Sequence, residues 1–264
     1  MSDVDLHLSS PDELQYLENV LEDTGSPKPT RAGLLKTAAA GAVAMGVFGP
    51  ASSALAASTR STGDSIKTVV TTAVTAEALA VTVLTAAVKT SPGTKAAPFI
   101  PVLKSANYTE YLHFKTLGSL GAKPLTEKFW IPNAALGPGN INLFKTIEVA
   151  ETLFVNAYLI GITTFAKAKQ DKLARYAGEI LGTEAEHRVL ARYAESVING
   201  LKHVPNNVGF ETYRYKSMAS IVAELEKAGF GFGKQGSASG AFYNFPGSPL
   251  STGTGSTVAA PTPA

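Results

Sequence analysis

Cysteine is absent from all 264 residues. That absence excludes a disulfide framework, a thiolate metal site and a thiol nucleophile together, so any metal must be held by oxygen and nitrogen. Charge is sparse too: 17% of residues are charged against 45% apolar, which provides for at least one full core. The overall charge is +2, with seven acidic side chains against Lys28 alone in residues 1–30, and 20 basic against 14 acidic residues in 57–264. So mild a basic surplus reads as solubility and not as nucleic-acid binding. Gly-rich phosphate loops after a strand and the Gly-x-Ser-x-Gly elbow of hydrolases are likewise missing.

What is present divides the chain into four parts. Residues 1–30 form an acidic N-terminal extension, with a short amphipathic helix pattern at 11–23. Residues 31–56 set Arg31 and Lys36 before an apolar stretch of small residues that closes on Ala54-Leu55-Ala56, a small-x-small cleavage pattern. This predicts an export signal cut after Ala56, and a protein of the periplasm, cell envelope or exterior. Arg31-Ala32-Gly33-Leu34-Leu35-Lys36 is similar in register to a twin-arginine signal, with Ala32 standing where the second arginine belongs. Left uncleaved, the segment is nearly long enough to anchor the chain in a membrane, the one membrane contact expected. Residues 60–228 are helical in pattern, whereas 229–264, rich in Gly, Ser, Pro and Thr, are expected to form a flexible tail.

The helical part carries four apolar stripes at alternating steps of three and four. They run Ile66, Val70, Ala73, Glu77, Ala80, Leu84, Ala87; Leu103, Ala106, Glu110, His113, Leu117, Leu120; Phe144, Ile147, Glu151, Phe154, Tyr158, Ile162, Phe165; and Leu173, Ala177, Ile180, Glu184, His187, Ala191, Ala194, Ile198, Leu201. Each is interrupted near its middle by a carboxylate, and two also by a histidine. An isolated buried carboxylate is costly, and four converging in one core repel one another, so the pattern demands a cation. Glu-x-x-His sets both groups one turn apart on the same face.

About a dozen residues join the first two helices, and Gln170 and Asp171 join the last two almost directly, so each pair is predicted to be antiparallel. Between the pairs lies GAKPLTEKFWIPNAALGPGN, long enough to cross the length of a bundle. The expected fold is all-α: a four-helix bundle of two hairpins with one long crossover, and a fifth helix at 210–228.

The ordered set Glu77, Glu110-Tyr-Leu-His113, Glu151 and Glu184-Ala-Glu-His187 resembles the ferritin-like superfamily of carboxylate-bridged dinuclear metal proteins. ETLFVNAYLIG, residues 151–161, is similar to exported ferritin-like proteins of the desiccation-related type. The resemblance implies that Glu110 and Glu184 bridge two metals, that Glu77 and Glu151 bind terminally, and that His113 and His187 complete one ion each. Two iron or manganese ions suit such oxygen-rich ligation. It further implies stress protection through metal oxidation or peroxide scavenging, with metal ions and small oxidants as partners and a homo-oligomer as a possible assembly. A non-catalytic, stress-associated envelope bundle is the alternative. Glu148 and Glu186 fall off the central stripe and read as solvated or as neighbours of the ligands. Tyr158 reads as a core tyrosine with a buried hydroxyl partner, and His203 as a residue favouring the end of the fourth helix.

Overall fold

The four stripes become four long helices in the computed structural model, which describes residues 63–136, 142–200 and 208–250. The acidic extension, the export signal, His203 and residues 251–264 lie outside the described residues. Helix α1 spans Ile66–Thr90, α2 Ile100–Ser119, α3 Leu143–Lys167 and α4 Asp171–Ile198. Ser65 starts α1 by accepting the Thr68 N–H at 3.0 Å. A short 3-10 turn, Ala97–Phe99, leads into α2, whose Pro101 sits in the first turn, where a missing N–H costs nothing.

Helix α1 is unusually rich in valine and threonine, which are weak helix formers. Packing supplies the stability that propensity lacks, since most of its residues are buried. Its buried hydroxyls turn back on the helix: Thr75 donates to the Thr71 carbonyl at 2.7 Å and Thr82 to the Ala78 carbonyl at 2.6 Å. Both α1 and α3 are long and apolar enough to cross a membrane, and in α1 that apolar surface is nearly all covered by the protein itself.

Contacts fix the directions of the hairpins. Glu77 of α1 lies by His113 of α2, while Val81 and Thr85, further along α1, accept from Asn107, earlier in α2. Likewise Glu151 of α3 lies by His187 of α4, and Glu148, earlier in α3, meets Arg192, later in α4. Both pairs are therefore antiparallel, and α1 also packs against α3. The second and fourth helices approach one another less closely. On α2, α3 and α4 the ionisable residues separate two apolar clusters, one containing Leu117, Phe154 and Ile180, the other Leu103, Ile147 and Ala191.

The crossover does more than connect. It contains strand β1, Lys128–Pro132, and a single helical turn, Asn133–Leu136. Two later strands, β2 at Gly231–Phe232 and β3 at Gly240–Asn244, flank β1 in an antiparallel sheet ordered β2-β1-β3. Phe129 sits opposite Phe232 on one side and Tyr243 on the other. Phe129, Ile131 and Phe232 join the core cluster that lies against α1.

Two expectations need correction. The tail expected to be flexible over 229–264 is, through residue 250, a folded part of this sheet and its approach. Its glycines serve contact in place of flexibility: a Cβ on Gly236 would stand 2.0 Å from the Gly229 carbonyl oxygen and 2.7 Å from Cδ1 of Trp130. The fifth helix, α5, covers Met218–Lys227 in place of 210–228. Ser217 caps it by accepting the Ser220 N–H at 3.3 Å, and the residues before the cap are held in irregular backbone by buried side chains of the bundle. Asn156 accepts the Arg214 N–H at 2.9 Å, and Arg188 grips Glu211.

Two glycine substitutions test this packing. Gly236→Ala is expected to lower the unfolding free energy by about 1–3 kcal/mol through overpacking. Gly182→Ala, on the exposed face of α4 with nothing near its Cβ position, is expected to raise it by about 0.5–1 kcal/mol. Chemical denaturation of the two variants reads both signs; a neutral Gly236→Ala contradicts the account.

Candidate metal centre

The structure brings Glu77, Glu110, His113, Glu151, Glu184 and His187 together in the middle of the bundle. They form two groups, Glu77, Glu110, His113 and Glu184, and Glu110, Glu151, Glu184 and His187, and within each the donor atoms all lie within 4.8 Å of one another. Glu110 and Glu184 belong to both groups. The four glutamates are 0–3% exposed, and His113 and His187 are 9% and 8% exposed, so what little solvent contact there is falls mainly on the histidines of α2 and α4.

Helix geometry explains the convergence. Each Glu-x-x-His aims two donors inward from one turn, and the antiparallel hairpins bring each turn opposite the lone glutamate of its partner helix. Nδ1 of His113 lies 3.2 Å from Oε1 of Glu184, 3.3 Å from Oε2 of Glu110 and 3.7 Å from Oε2 of Glu77. Nδ1 of His187 lies 2.8 Å from Oε1 of Glu110, 3.4 Å from Oε2 of Glu184 and 3.8 Å from Oε1 of Glu151. Each imidazole nitrogen thus faces three carboxylates, and Glu110 and Glu184 face both imidazoles.

Several of these buried atoms have no hydrogen-bond partner: Oε2 of Glu77, Oε1 of Glu110, Oε2 of Glu151, both oxygens of Glu184 and Nδ1 of His187. Proximity without hydrogen bonding is the arrangement expected of lone pairs turned toward a shared cation, and otherwise such orphaned groups are expensive. Four ionised carboxylates carry four negative charges, which two divalent cations balance with the imidazoles neutral. The buried Arg188 does not answer this need, because it is paired with Glu211.

Electrostatics describe the same demand. Burial, then the charges of Glu184 and Glu110, push the carboxyls of Glu77 and Glu151 well above their ordinary range. Burial, the largest single influence, also opposes ionisation of Glu110, but the charges and hydrogen bonds of His187 and His113 together outweigh it and its carboxyl is held well below that range. Burial, the largest single influence, disfavours charge on both imidazoles, yet Glu184, Glu110 and Glu77 together raise His113 well above its usual value, and Glu110 and Glu184 together raise His187 to about 10. Without a cation, protons are the counter-charges the polypeptide can recruit.

Neighbouring side chains fix the donors. The Tyr158 hydroxyl donates to Oε1 of Glu77, leaving Oε2 to face the centre. Burial, and then the Glu77 charge, raise the tyrosine well above its ordinary value, so it remains a donor. The sequence pattern anticipated a buried partner for Tyr158 but not its identity. Thr109, which the stripes did not select, pairs its hydroxyl with Nε2 of His187 at 3.0 Å and so orients the ring with Nδ1 inward. Its position immediately before Glu110 was the available signal. Of the two off-stripe acids, Glu148 accepts from Nε of Arg192 at 2.6 Å, and Glu186 is exposed. Neither joins the cluster.

The architecture is a ferritin-like four-helix bundle with a carboxylate/histidine dimetal-binding motif. Compared with protein-family profiles, curated proteins and solved structures, the chain matches none.

Tyr158→Phe removes the hydroxyl alone and leaves Oε1 of Glu77 buried without a donor. In chelator, it is expected to lower the unfolding free energy by about 1–3 kcal/mol. Equal stability of variant and parent by chemical denaturation would show that this hydrogen bond does not hold Glu77.

Proposed function

We propose that this is an exported ferritin-like protein whose buried cluster holds two iron or manganese ions and reduces a small oxidant, dioxygen or peroxide, in protection against stress. The observation that carries the reading is the pair of overlapping donor groups sharing Glu110 and Glu184, with buried donor atoms left without hydrogen bonds. In this reading Glu110 and Glu184 would serve both ions, Glu77 with His113 would complete one site, and Glu151 with His187 would complete the other. Oxygen-rich ligation with one imidazole per ion favours iron or manganese over metals that select thiolates. Two adjacent redox-active ions supply two electrons to one oxidant without release of a radical.

The chain's own residues set the conditions for that chemistry. Thr109 and Tyr158 hold His187 and Glu77 in place, so these donors would stay aimed inward as the charge of the bound ions changed. Burial strengthens each donor's interaction with a cation and limits access by water. Export rests on Arg31, Lys36 and the Ala54-Leu55-Ala56 ending.

Metal content tests the reading. Protein purified from iron- or manganese-supplemented cells is expected to contain about two ions per chain, as the two donor groups require. His113→Ala and His187→Ala are each expected to lose at least one ion while keeping their helical content. Full-length folded protein without metal would leave the alternative, a non-catalytic envelope bundle.

Metal binding is also expected to depend on pH. Glu77, Glu151, His113 and His187 all hold protons more tightly than usual, so protons compete increasingly with the cation as pH falls. Titration with manganese in buffers of different ionisation enthalpy is expected to show net proton release and an affinity that drops from about pH 8 to about pH 6. Binding without proton release and independent of pH contradicts the assignment of these ligands.

A further inference from the structure

Beside the cluster, between α1 and α3, lies a small hollow of about 30 Å³, open on one side and large enough for a diatomic guest. Its walls include Ala80, Ile147, Ala150, Phe154 and Phe230, and the charged group on its surface is Glu151. The small side chains of Ala80 and Ala150 leave the space, and Phe230, itself buried, reaches in from the segment after α5. Ala150 is half-buried, so the hollow opens toward the α3 surface. Glu151, which lines the hollow, carries a buried oxygen, Oε2, without a hydrogen-bond partner.

We propose that this hollow is a dioxygen pocket, delivering an apolar diatomic oxidant to the Glu151 side of the cluster. The assignment rests on the metal-centre reading above. Its chemistry follows from the walls: an apolar cavity has almost nothing to replace the hydrogen bonds that water or hydrogen peroxide would lose on entering, whereas apolar guests such as xenon occupy such spaces readily. The cluster's most exposed members, His113 and His187, belong to α2 and α4, neither of which lines the hollow. Of the two oxidant classes open to a centre of this kind, the hollow selects dioxygen.

Xenon tests the pocket without reference to metal. Crystals of the full chain pressurised with xenon are expected to show it in the hollow, in contact with Phe154 and Ile147, and Ala150→Phe, which fills the space, is expected to abolish it. Ala150→Leu provides a milder filling if the phenylalanine variant folds poorly, and Val149→Phe, at an exposed neighbouring position, is the control expected to change nothing. In chains loaded with ferrous iron to the parental content, filling the hollow is expected to slow oxidation by dioxygen at least tenfold, while oxidation by hydrogen peroxide stays within twofold. An iron-loaded chain that takes up no xenon, or whose filled variants react with dioxygen at the parental rate, or lose both reactions equally, overturns the pocket and leaves the metal centre standing. A chain that binds neither iron nor manganese overturns the centre and the pocket's role with it, whatever xenon does.

Discussion

Four carboxylates share the middle of an apolar bundle, and much of the structure answers to the cost of placing them there. A buried carboxylate loses its hydration and gains little unless a counter-charge stands close by. Glu77, Glu110, Glu151 and Glu184 each stand within reach of a histidine, but two imidazoles do not neutralise four acids without taking up protons. Two divalent cations would satisfy the charge and the unpartnered lone pairs at once. On this account the metal is part of the bundle's own energetics as well as of its chemistry.

The surrounding elements keep that polar layer in place. Close packing within each hairpin and between α1 and α3 leaves the α2–α4 edge joined through polar groups, including Thr109 to His187 and Glu110 to His187. Buried polar side chains, two amides and a carboxylate, fasten the C-terminal residues to the bundle. Asn107 accepts the Leu250 N–H at 2.9 Å, Asn156 accepts that of Arg214 at 2.9 Å, and Asp64 accepts that of Met218 at 2.5 Å. The sheet and α5 then complete the cover over α1, which explains how a helix carrying so many valines and threonines is almost wholly buried.

The bundle and the six central residues were legible because both follow from helical periodicity, which depends on near neighbours in sequence. Glu184 and His187 announced themselves by breaking an apolar stripe, and the same signal recurred on three other helices. The sheet was not legible for the opposite reason. Its main ladder pairs Lys128–Pro132 with Gly240–Asn244, more than a hundred residues apart, and no local pattern records that partnership. Glycine at 236 reads as flexibility until the Gly229 carbonyl and the Trp130 ring are seen to occupy the place of its side chain. Residues 210–217 carry an amphipathic pattern, yet Arg188 and Asn156 capture their side chains and backbone in a non-helical course. Thr109 escaped notice because it lies off the apolar stripe; its importance comes from the neighbouring helix.

Anomalous diffraction from crystals grown with ferrous iron or manganese, recorded at the edge of the added metal, tests the central claim most directly. Two peaks are predicted, one beside Glu77 and His113 and one beside Glu151 and His187, with Glu110 and Glu184 between them. A well-ordered cluster showing no anomalous density, its carboxylates satisfied by protons and by one another, would contradict it.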